Sequence, residues 1–373
     1  MSIRERKSKT GIISRLIWLI NIIFAVLLLG SYLSAYVNPG IITVFAFLGL
    51  AYPALLLINL LFFLYWLIRG KRKLLLSLVV VLIGYQAFIR HVQILPGREA
   101  PETGVMKMLS YNVQNMVHSN IGIEHAEIRK GIFSFIGSQQ ADIACIQEFS
   151  AQGRDFEGVF EEMKDLTHYT YYYYENYNPK KTNRIDALVI LSNYPAAATN
   201  TLSIPGAYHH FGIYADLIND EDTFRIYNLH LASIKLQHED YQFVEDVSKG
   251  QTEKGAFREG SKSILRKLHS GFKNREKQTE VVVRSISECP YPIIVCGDFN
   301  DTPLSFAYHK ISAGLEDSFV NAGYGMGNTF SGNLPPIRID FILHSSVFQS
   351  YELRVPKITL SDHYPVTVFL GRE

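Results

Sequence analysis

Two kinds of hydrophobic patterning divide this chain. Up to about Pro96 the apolar residues come in long uncharged runs. Leu16 to Tyr36 is 21 residues without a charge, Ile41 to Ile68 is a second such run with Pro53 as a kink point, and Leu74 to Ile89 is a third, of 16 residues. Beyond Gly104 the apolar runs are short and end in polar turns. A membrane span needs roughly 20 apolar residues, so the first two runs predict transmembrane helices. The third reaches that length when it extends past Arg90 and His91 to Leu95. A cleaved signal peptide would be shorter and would not be followed by two more runs.

In the second part the short runs predict strands at Lys107 to Asn112, Ile143 to Gln147, Ala187 to Leu191, Phe211 to Leu217, Phe224 to Leu231, Ile293 to Cys296, Ile339 to His344 and Val366 to Leu370. Helical spacing covers Ile123 to Ser138, Asp155 to Asp165 and about Ser261 to Ser287, where Val282, Val283 and Ile286 share a face. The stretch 240–263 is polar and reads as an exposed loop or a helix start. The tyrosine-rich run Tyr169 to Asn178 reads as an edge strand. Short strands mixed with helices over about 270 residues predict two packed sheets with helices outside. The organisation expected is a membrane segment over 1–96 with about three helices (16–36, 41–68 and 74–95), a linker over 97–104 and a catalytic domain over 105–373.

Charge sharpens this division. Ten Lys/Arg stand against one Glu before Pro96, while the remainder is net −8. Arg4, Arg6, Lys7, Lys9 and Arg15 precede the first run, and Arg69, Lys71, Arg72 and Lys73 separate the second from the third. The loop between the first two runs, Val37 to Gly40, has no charge. Positive segments stay in the cytoplasm. The chain is therefore expected to be an integral protein of the cytoplasmic (inner) membrane, with its catalytic domain outside if the third run spans. The alternative is a third run lying along the interface and a cytoplasmic domain. Three cysteines, Cys145, Cys289 and Cys296, give no disulfide framework; Cys145 and Cys296 read as small core residues.

Polar residues collect where the strands end. Asn112 closes one apolar run, and Gln147 and Glu148 another. Asn228 and His230 lie on a third. Asp298 and Asn300 follow Ile293 to Cys296, Asp340 opens another strand, and Ser361, Asp362 and His363 precede the last. Each alone is a cap or a turn, but burying so many polar groups is costly unless they serve one another. Oxygen ligands from Glu148, Asp362 and Asn112 suit a hard cation such as Mg²⁺ or Mn²⁺. Zinc-type Cys/His spacing, a phosphate-binding Gly-rich loop and a Gly-x-Ser-x-Gly elbow are all absent from the sequence. Histidines beside carboxylates suit acid–base work on a phosphoryl group. Together these residues point to metal-assisted phosphoester hydrolysis.

The series SYNVQ, IQE, YNLHL, GDFND, RIDFIL and SDHYPV, in that order, resembles the endonuclease/exonuclease/phosphatase superfamily. The resemblance implies a four-layer α/β/β/α sandwich, an α+β fold. It also implies roles. Glu148 is the principal metal ligand, with Asn112 close to metal and phosphate and Asp362 near the metal. Asp298 orients or activates water, Asn300 contacts phosphate, and Phe299 points into the core. His363, oriented by Asp340, is the second catalytic group, and His230 binds or protonates the phosphate side. The sequence departs from the family's pattern at Arg184, Ile185 and Asp186, where relatives often carry small residues. The substrate expected is a phosphoester, either nucleic acid or a phospholipid head group as in sphingomyelinase-like phosphodiesterases, and no protein partner is predicted. A net charge of −8 disfavours tight nonspecific DNA binding, although Lys180, Lys181 and Arg184 form one basic patch and 254–277 another. The rival of another class is a catalytically inactive, membrane-tethered binding protein; the presence of Glu148, His230, Asp298 and His363 argues against it.

Overall fold

A computed structural model of the chain describes residues 3–116, 125–152, 155–177, 184–207, 209–220, 222–234, 237–250, 254–332 and 337–372. Lys180 and Lys181 of the first basic patch, Asn178, and the start of the helix expected from Ile123 lie outside the described residues. The chain divides into two compact units, residues 1–90 with 303–309, and residues 91–302 with 310–373.

The first unit is helical: α1 Ile3–Tyr32, α2 Val44–Leu50, α3 Tyr52–Ile68, α4 Leu74–Ile83 and α5 Tyr85–His91. Gly11–Ala35 is long and apolar enough to cross a membrane. The second and third apolar runs are each broken, α2 to α3 by 66° and α4 to α5 by 68°. The first break falls at Ala51, with Pro53 in the first turn of α3. The second falls at Gly84, where a Cβ would lie 2.1 Å from the Tyr32 hydroxyl. Three polar side chains inside this unit, Asn21, Trp66 and Ser77, satisfy one another, as apolar surroundings favour. Asn21 Nδ2 donates to Ser77 Oγ at 2.8 Å, and Trp66 Nε1 donates to Asn21 Oδ1 at 3.0 Å.

The second unit contains β1 Val105–Asn112, α6 His125–Ser138, β2 Ile143–Gln152, α7 Phe156–Thr167, β3 Tyr171–Asn176, β4 Arg184–Ser192, β5 Ala196–Ser203, β6 His210–Asn219, β7 Asp222–His230, α8 His238–Ser248, α9 Lys254–Ser287, β8 Ile293–Asp298, α10 Phe306–Ile311 (which begins in the first unit), β9 Glu316–Asp317, α11 Ser318–Ala322, β10 Asp340–His344, β11 Phe348–Arg354 and β12 Val366–Arg372. The strands form two six-stranded sheets, ordered β11-β12-β1-β2-β4-β3 and β5-β6-β7-β8-β10-β9.

Strand alternation sorts the apolar residues into layers. Met108, Cys145, Leu188 and Ile190 face the second sheet, where Ile213, Ala215, Ile226, Cys296 and Ile342 meet them. Their neighbours Leu109, Ala144, Ile146 and Val189 turn the other way, onto Ile128, Ile132 and Phe133 of α6 and Val159 and Met163 of α7. On the second sheet's outer face Val282 of α9 is buried, and the Tyr227 hydroxyl meets Ser285 Oγ at 3.0 Å. The expected α/β/β/α sandwich is thus formed, with Cys145 and Cys296 in its core.

Candidate active site

Sheet register lines up three of the functional side chains. In the parallel pair β7/β8, His230 stands opposite Asp298. In the antiparallel pair β10/β8, Asp340 stands opposite the same Asp298. On the other sheet, Asn112 at the end of β1 pairs with Gln147 of β2, which puts Glu148 one residue further on.

Glu148 reaches the site through an irregularity. The β2/β4 register shifts between Ile146 and Phe149, and Glu148 itself has φ 53°. A bulge of this kind re-aims a side chain that regular alternation would send elsewhere. Gly297 solves a similar problem in the other sheet. Its φ is 137°, and a Cβ there would lie 1.9 Å from the Leu229 carbonyl oxygen, so only glycine fits this close approach. Asn300 also has positive φ, 51°. Phe299 between them is fully buried and packs on Phe341 with ring centroids 4.8 Å apart.

Oδ2 of Asp298 is the hub of the arrangement. It accepts hydrogen bonds from Asn112 Nδ2 at 3.0 Å and Asn300 Nδ2 at 3.0 Å. His363 Nε2 stands 3.7 Å from it and His230 Nε2 3.8 Å. The other oxygen, Oδ1, accepts the Asn300 backbone N–H at 2.7 Å. Asp340 Oδ2 lies 2.9 Å from His363 Nδ1, and the Asp340 backbone N–H donates to Thr329 Oγ1 at 3.1 Å. The Ser361–His363 turn is pinned to β1, because Ser361 Oγ donates to the Asn112 carbonyl at 2.8 Å and accepts the His363 N–H at 3.1 Å. Asp362 is half-buried on that turn, its backbone N–H donating to Gln114 Oε1 at 3.3 Å.

Glu148 is held from several sides. Its Oε1 accepts from Asn112 Nδ2 at 3.3 Å, and Oε2 from Asn115 Nδ2 at 3.0 Å. His230 Nε2 approaches Oε1 to 3.3 Å, off the axis of a good hydrogen bond, and is buried with no better partner. Asn115 is in turn fixed by Arg184, whose Nη2 donates to Asn115 Oδ1 at 2.5 Å and whose Nε donates to Asp186 Oδ1 at 2.5 Å. Arg184 and Asp186, the departure from the superfamily pattern, therefore form the wall behind Glu148. Sequence reasoning missed Asn115; its only signal is its place three residues after Asn112. Tyr177 meets His230 edge-on at 6.4 Å, and Phe330 meets His363 at 5.2 Å.

The electrostatics follow from burial and pairing. Burial alone would raise the Glu148 carboxyl, but His230, His363 and Asn112 outweigh it and bring it down to about 2. Burial pushes Asp298 up to about 6, against the pull of His363. Burial would lower both histidines. His230 is nevertheless raised by Glu148 and Asp298, and His363 is raised well above its ordinary value by Asp340 and Asp298.

Among the described residues, two groupings could hold a cation. Ligand atoms of Asp298, Asp340 and His363 lie within 4.8 Å of one another, but Asp340 and His363 already satisfy each other at 2.9 Å, which makes this grouping a hydrogen-bonded acid–base array. The carboxylates of Glu148 and Asp298 converge on the single amide of Asn112. That oxygen-rich side fits a hard divalent ion better.

Comparison with known proteins identifies the family. Residues 109–363 match the sequence model of the endonuclease/exonuclease/phosphatase family. The chain belongs to that family. Members of the family are hydrolases acting on phosphoester bonds. Residues 14–91 match a second family, described as a domain of unknown function. A curated relative, the uncharacterized protein YbhP of Escherichia coli, is 31% identical over 109 residues, 27% of this chain and 43% of that protein. The match thus spans less than half of the relative's length. Among solved structures, an endonuclease/exonuclease/phosphatase from Bacteroides vulgatus is 17% identical with a TM-score of 0.53, covering 73% of this chain and all of that one. A mannosyl-6-phosphatase from Bacteroides thetaiotaomicron is 18% identical with a TM-score of 0.51, over 71% of this chain and 99% of that one. At these identities the likeness is one of fold.

Proposed function

We propose that this chain is a membrane-tethered, divalent-metal-dependent phosphoester hydrolase acting by direct attack of water. The observation that carries the reading is the convergence of His230 Nε2 and His363 Nε2 on one carboxylate oxygen, Asp298 Oδ2, at 3.8 and 3.7 Å. Two imidazoles facing one carboxylate oxygen put two candidate proton donors beside a candidate base. Glu148 and Asn112, with Asp362 nearby, would hold Mg²⁺ or Mn²⁺, which supplies charge neutralisation at the phosphoryl oxygens. Asp298 in its ionised form takes the proton of the attacking water. His363, kept cationic by Asp340, donates from Nε2 to a phosphoryl oxygen as charge builds on it. His230, on the opposite side, relinquishes its off-axis approach to Glu148 and gives its proton to the departing oxygen as the ester P–O bond breaks and the alcohol leaves. Asn300 steadies Asp298 through its backbone N–H and offers its amide to the phosphate in exchange for one of its present bonds.

The tether is read from the first unit alone. Tyr32, near the end of α1, donates to the Val80 carbonyl at 3.1 Å, and Lys73, at the start of α4, lies over the rings of Trp18 and Trp66 at 5.2 and 4.6 Å. α4 therefore packs alongside part of α1. A crossing by the third run takes α4 and α5 together, and on that reading the catalytic unit lies outside the cytoplasm.

The decisive experiment uses the full chain in detergent with Mg²⁺ or Mn²⁺. Substrates are bis(4-nitrophenyl) phosphate, plasmid DNA, sphingomyelin and inositol phosphates. Metal-dependent turnover of at least one, removed by chelator and by Glu148→Gln, is expected. Tight metal binding without turnover of any would favour the inactive, tethered binding protein instead.

A further inference from the structure

Arg275 sits in the middle of α9 and is 1% exposed. A buried guanidinium needs acceptors, and it finds two of them on two different loops of the candidate site. Nε donates to Asp301 Oδ2 at 2.9 Å, and Nη1 donates to the Ala232 carbonyl at 2.8 Å. One turn further along α9, Gln278 Oε1 accepts the Ala232 N–H at 2.8 Å. Both backbone groups of Ala232 are therefore gripped by one helix face. Ala232 is two residues beyond His230, and Asp301 directly follows Asn300.

The two loops are also tied to each other. The Leu231 N–H donates to the Asp298 carbonyl at 2.9 Å, and Asn300 Nδ2 donates to the Leu231 carbonyl at 3.0 Å. Asp301 Oδ1 accepts the Thr302 N–H at 3.0 Å, which fixes the carboxylate that Arg275 holds. Arg275 thus closes a ring of bonds that runs His230–Leu231–Ala232, across α9, to Asp301–Asn300–Asp298 and back. No regular ladder holds this part of the chain, because β7 ends at His230 and β8 at Asp298.

We infer that Arg275, with Gln278, is a positioning residue for hydrolysis: it fixes His230 and Asn300 relative to Asp298 from outside the site. The inference rests on the proposed roles of His230 and Asn300. Lysine cannot replace Arg275, because a single ammonium does not reproduce the planar fork that reaches Asp301 and Ala232 together. The distances hold the two loops where a displacement of about 1 Å would cost on the order of 10²-fold in rate.

The test uses the full chain in detergent, with Arg275→Lys, Gln278→Leu, His230→Ala and the combination of Arg275→Lys with His230→Ala. Turnover of bis(4-nitrophenyl) phosphate should fall at least tenfold in kcat in Arg275→Lys and measurably in Gln278→Leu, with KM changed less than threefold. The combined variant should lose less than the product of the two single losses, because of the two groups that Arg275 positions only Asn300 is left. Multiplicative losses in the combination, or wild-type kcat in Arg275→Lys while His230→Ala is impaired, would overturn the inference. Full activity of His230→Ala would instead overturn the reading of the site. Hydrogen exchange supplies a readout independent of turnover: peptides covering 230–232 and 299–302 should exchange faster in Arg275→Lys, with those of β1 and β12 unchanged. Unchanged exchange in both loops would equally sink the inference.

Discussion

Nε2 of His363 stands 3.7 Å from Oδ2 of Asp298, while its Nδ1 is held 2.9 Å from Asp340. The imidazole is therefore bracketed by two carboxylates with different tasks. Asp340 fixes the ring and its charge, and Asp298 faces the space where water would be activated. If Asp298 is the base, Asp298→Asn should lower kcat by roughly 10²–10⁴-fold and be more damaging than His363→Ala. Asp340→Asn should leave some activity and change its pH dependence. Steady-state kinetics on whichever substrate the screen yields would decide; full activity of Asp298→Asn at neutral pH would refute the assignment.

Glu148 offers the clearest separation of metal binding from folding. Glu148→Gln keeps the volume but removes the charge that holds a hard cation, so Mg²⁺ or Mn²⁺ affinity should fall by at least about tenfold. Asn112, Asn115 and His230 all face this carboxylate, and a carboxamide in its place keeps some of those contacts. The fold should survive without metal, with a lower melting temperature at neutral pH, because the charge that His230 and His363 stabilise is gone. Unchanged binding by titration calorimetry would remove Glu148 from the ligand set.

Gly297 is a stability prediction that owes nothing to chemistry. Gly297→Ala would combine a φ of 137° with a Cβ 1.9 Å from the Leu229 carbonyl. Either strain alone costs on the order of 1–3 kcal/mol, and the Leu229 backbone cannot retreat without disturbing the pairing of β7 with β8. A clear drop in melting temperature is expected. A variant as stable as wild type would show that the two strands can part at this point.

The sequence displays the strands that are buried on both faces, and with them the polar groups at their ends. It conceals features set by tertiary contact. β5, Ala196–Ser203, is mostly exposed and has no run of large apolar residues to betray it. α8 and the first turns of α9 lie in a polar, Gly-containing stretch that gives equal support to a loop. The gathering of Asn112, Glu148, His230, Asp298, Asp340 and His363 was legible because each interrupts or ends an apolar strand. The bulge that turns Glu148 inward was not, since Gln147 and Glu148 both follow the same apolar run. Nor was Arg275, whose partners lie 26 and 43 residues away and which sits among other charged residues, Lys273, Glu276 and Lys277, in the sequence of α9.

Topology can be checked without any substrate. Positive charge before the first apolar run and between the second and third, with none in the first loop, predicts that a fusion after Glu373 lies outside the cytoplasm. Alkaline phosphatase joined there should be active. Fluorescence of a cytoplasm-only reporter at the same point would mean that the stretch from Leu74 to His91, bent by 68° at Gly84, does not cross.

The pH dependence follows from the same buried charges. Asp298 is pushed up to about 6 by burial, and His363 is raised well above an ordinary imidazole because Asp340 and Asp298 outweigh its own burial. The competent form has Asp298 ionised and His363 protonated, so it fills the window between those two values. Activity should fall about tenfold per unit as pH drops through the Asp298 value, which a divalent cation beside it brings below about 6, and should fall again on the alkaline side as His363 loses a proton. Asp340→Asn removes a carboxylate that favours the imidazolium and also helps to raise Asp298, so it should move both the alkaline and the acid limb to lower pH. Stability carries its own signs. Asp298 is raised on folding, so its contribution weakens as pH climbs from the ordinary carboxylate range through 6. His363 is also raised; its contribution is complete below the ordinary imidazole value and is lost as pH rises through the folded value. Glu148 is depressed to about 2, so its contribution is present above the ordinary carboxylate range and is lost as pH falls toward 2. Rate profiles at saturating metal and melting curves in chelator would record the two behaviours separately. An alkaline limb that ignores Asp340→Asn would show that the proton lost there is not the one on His363.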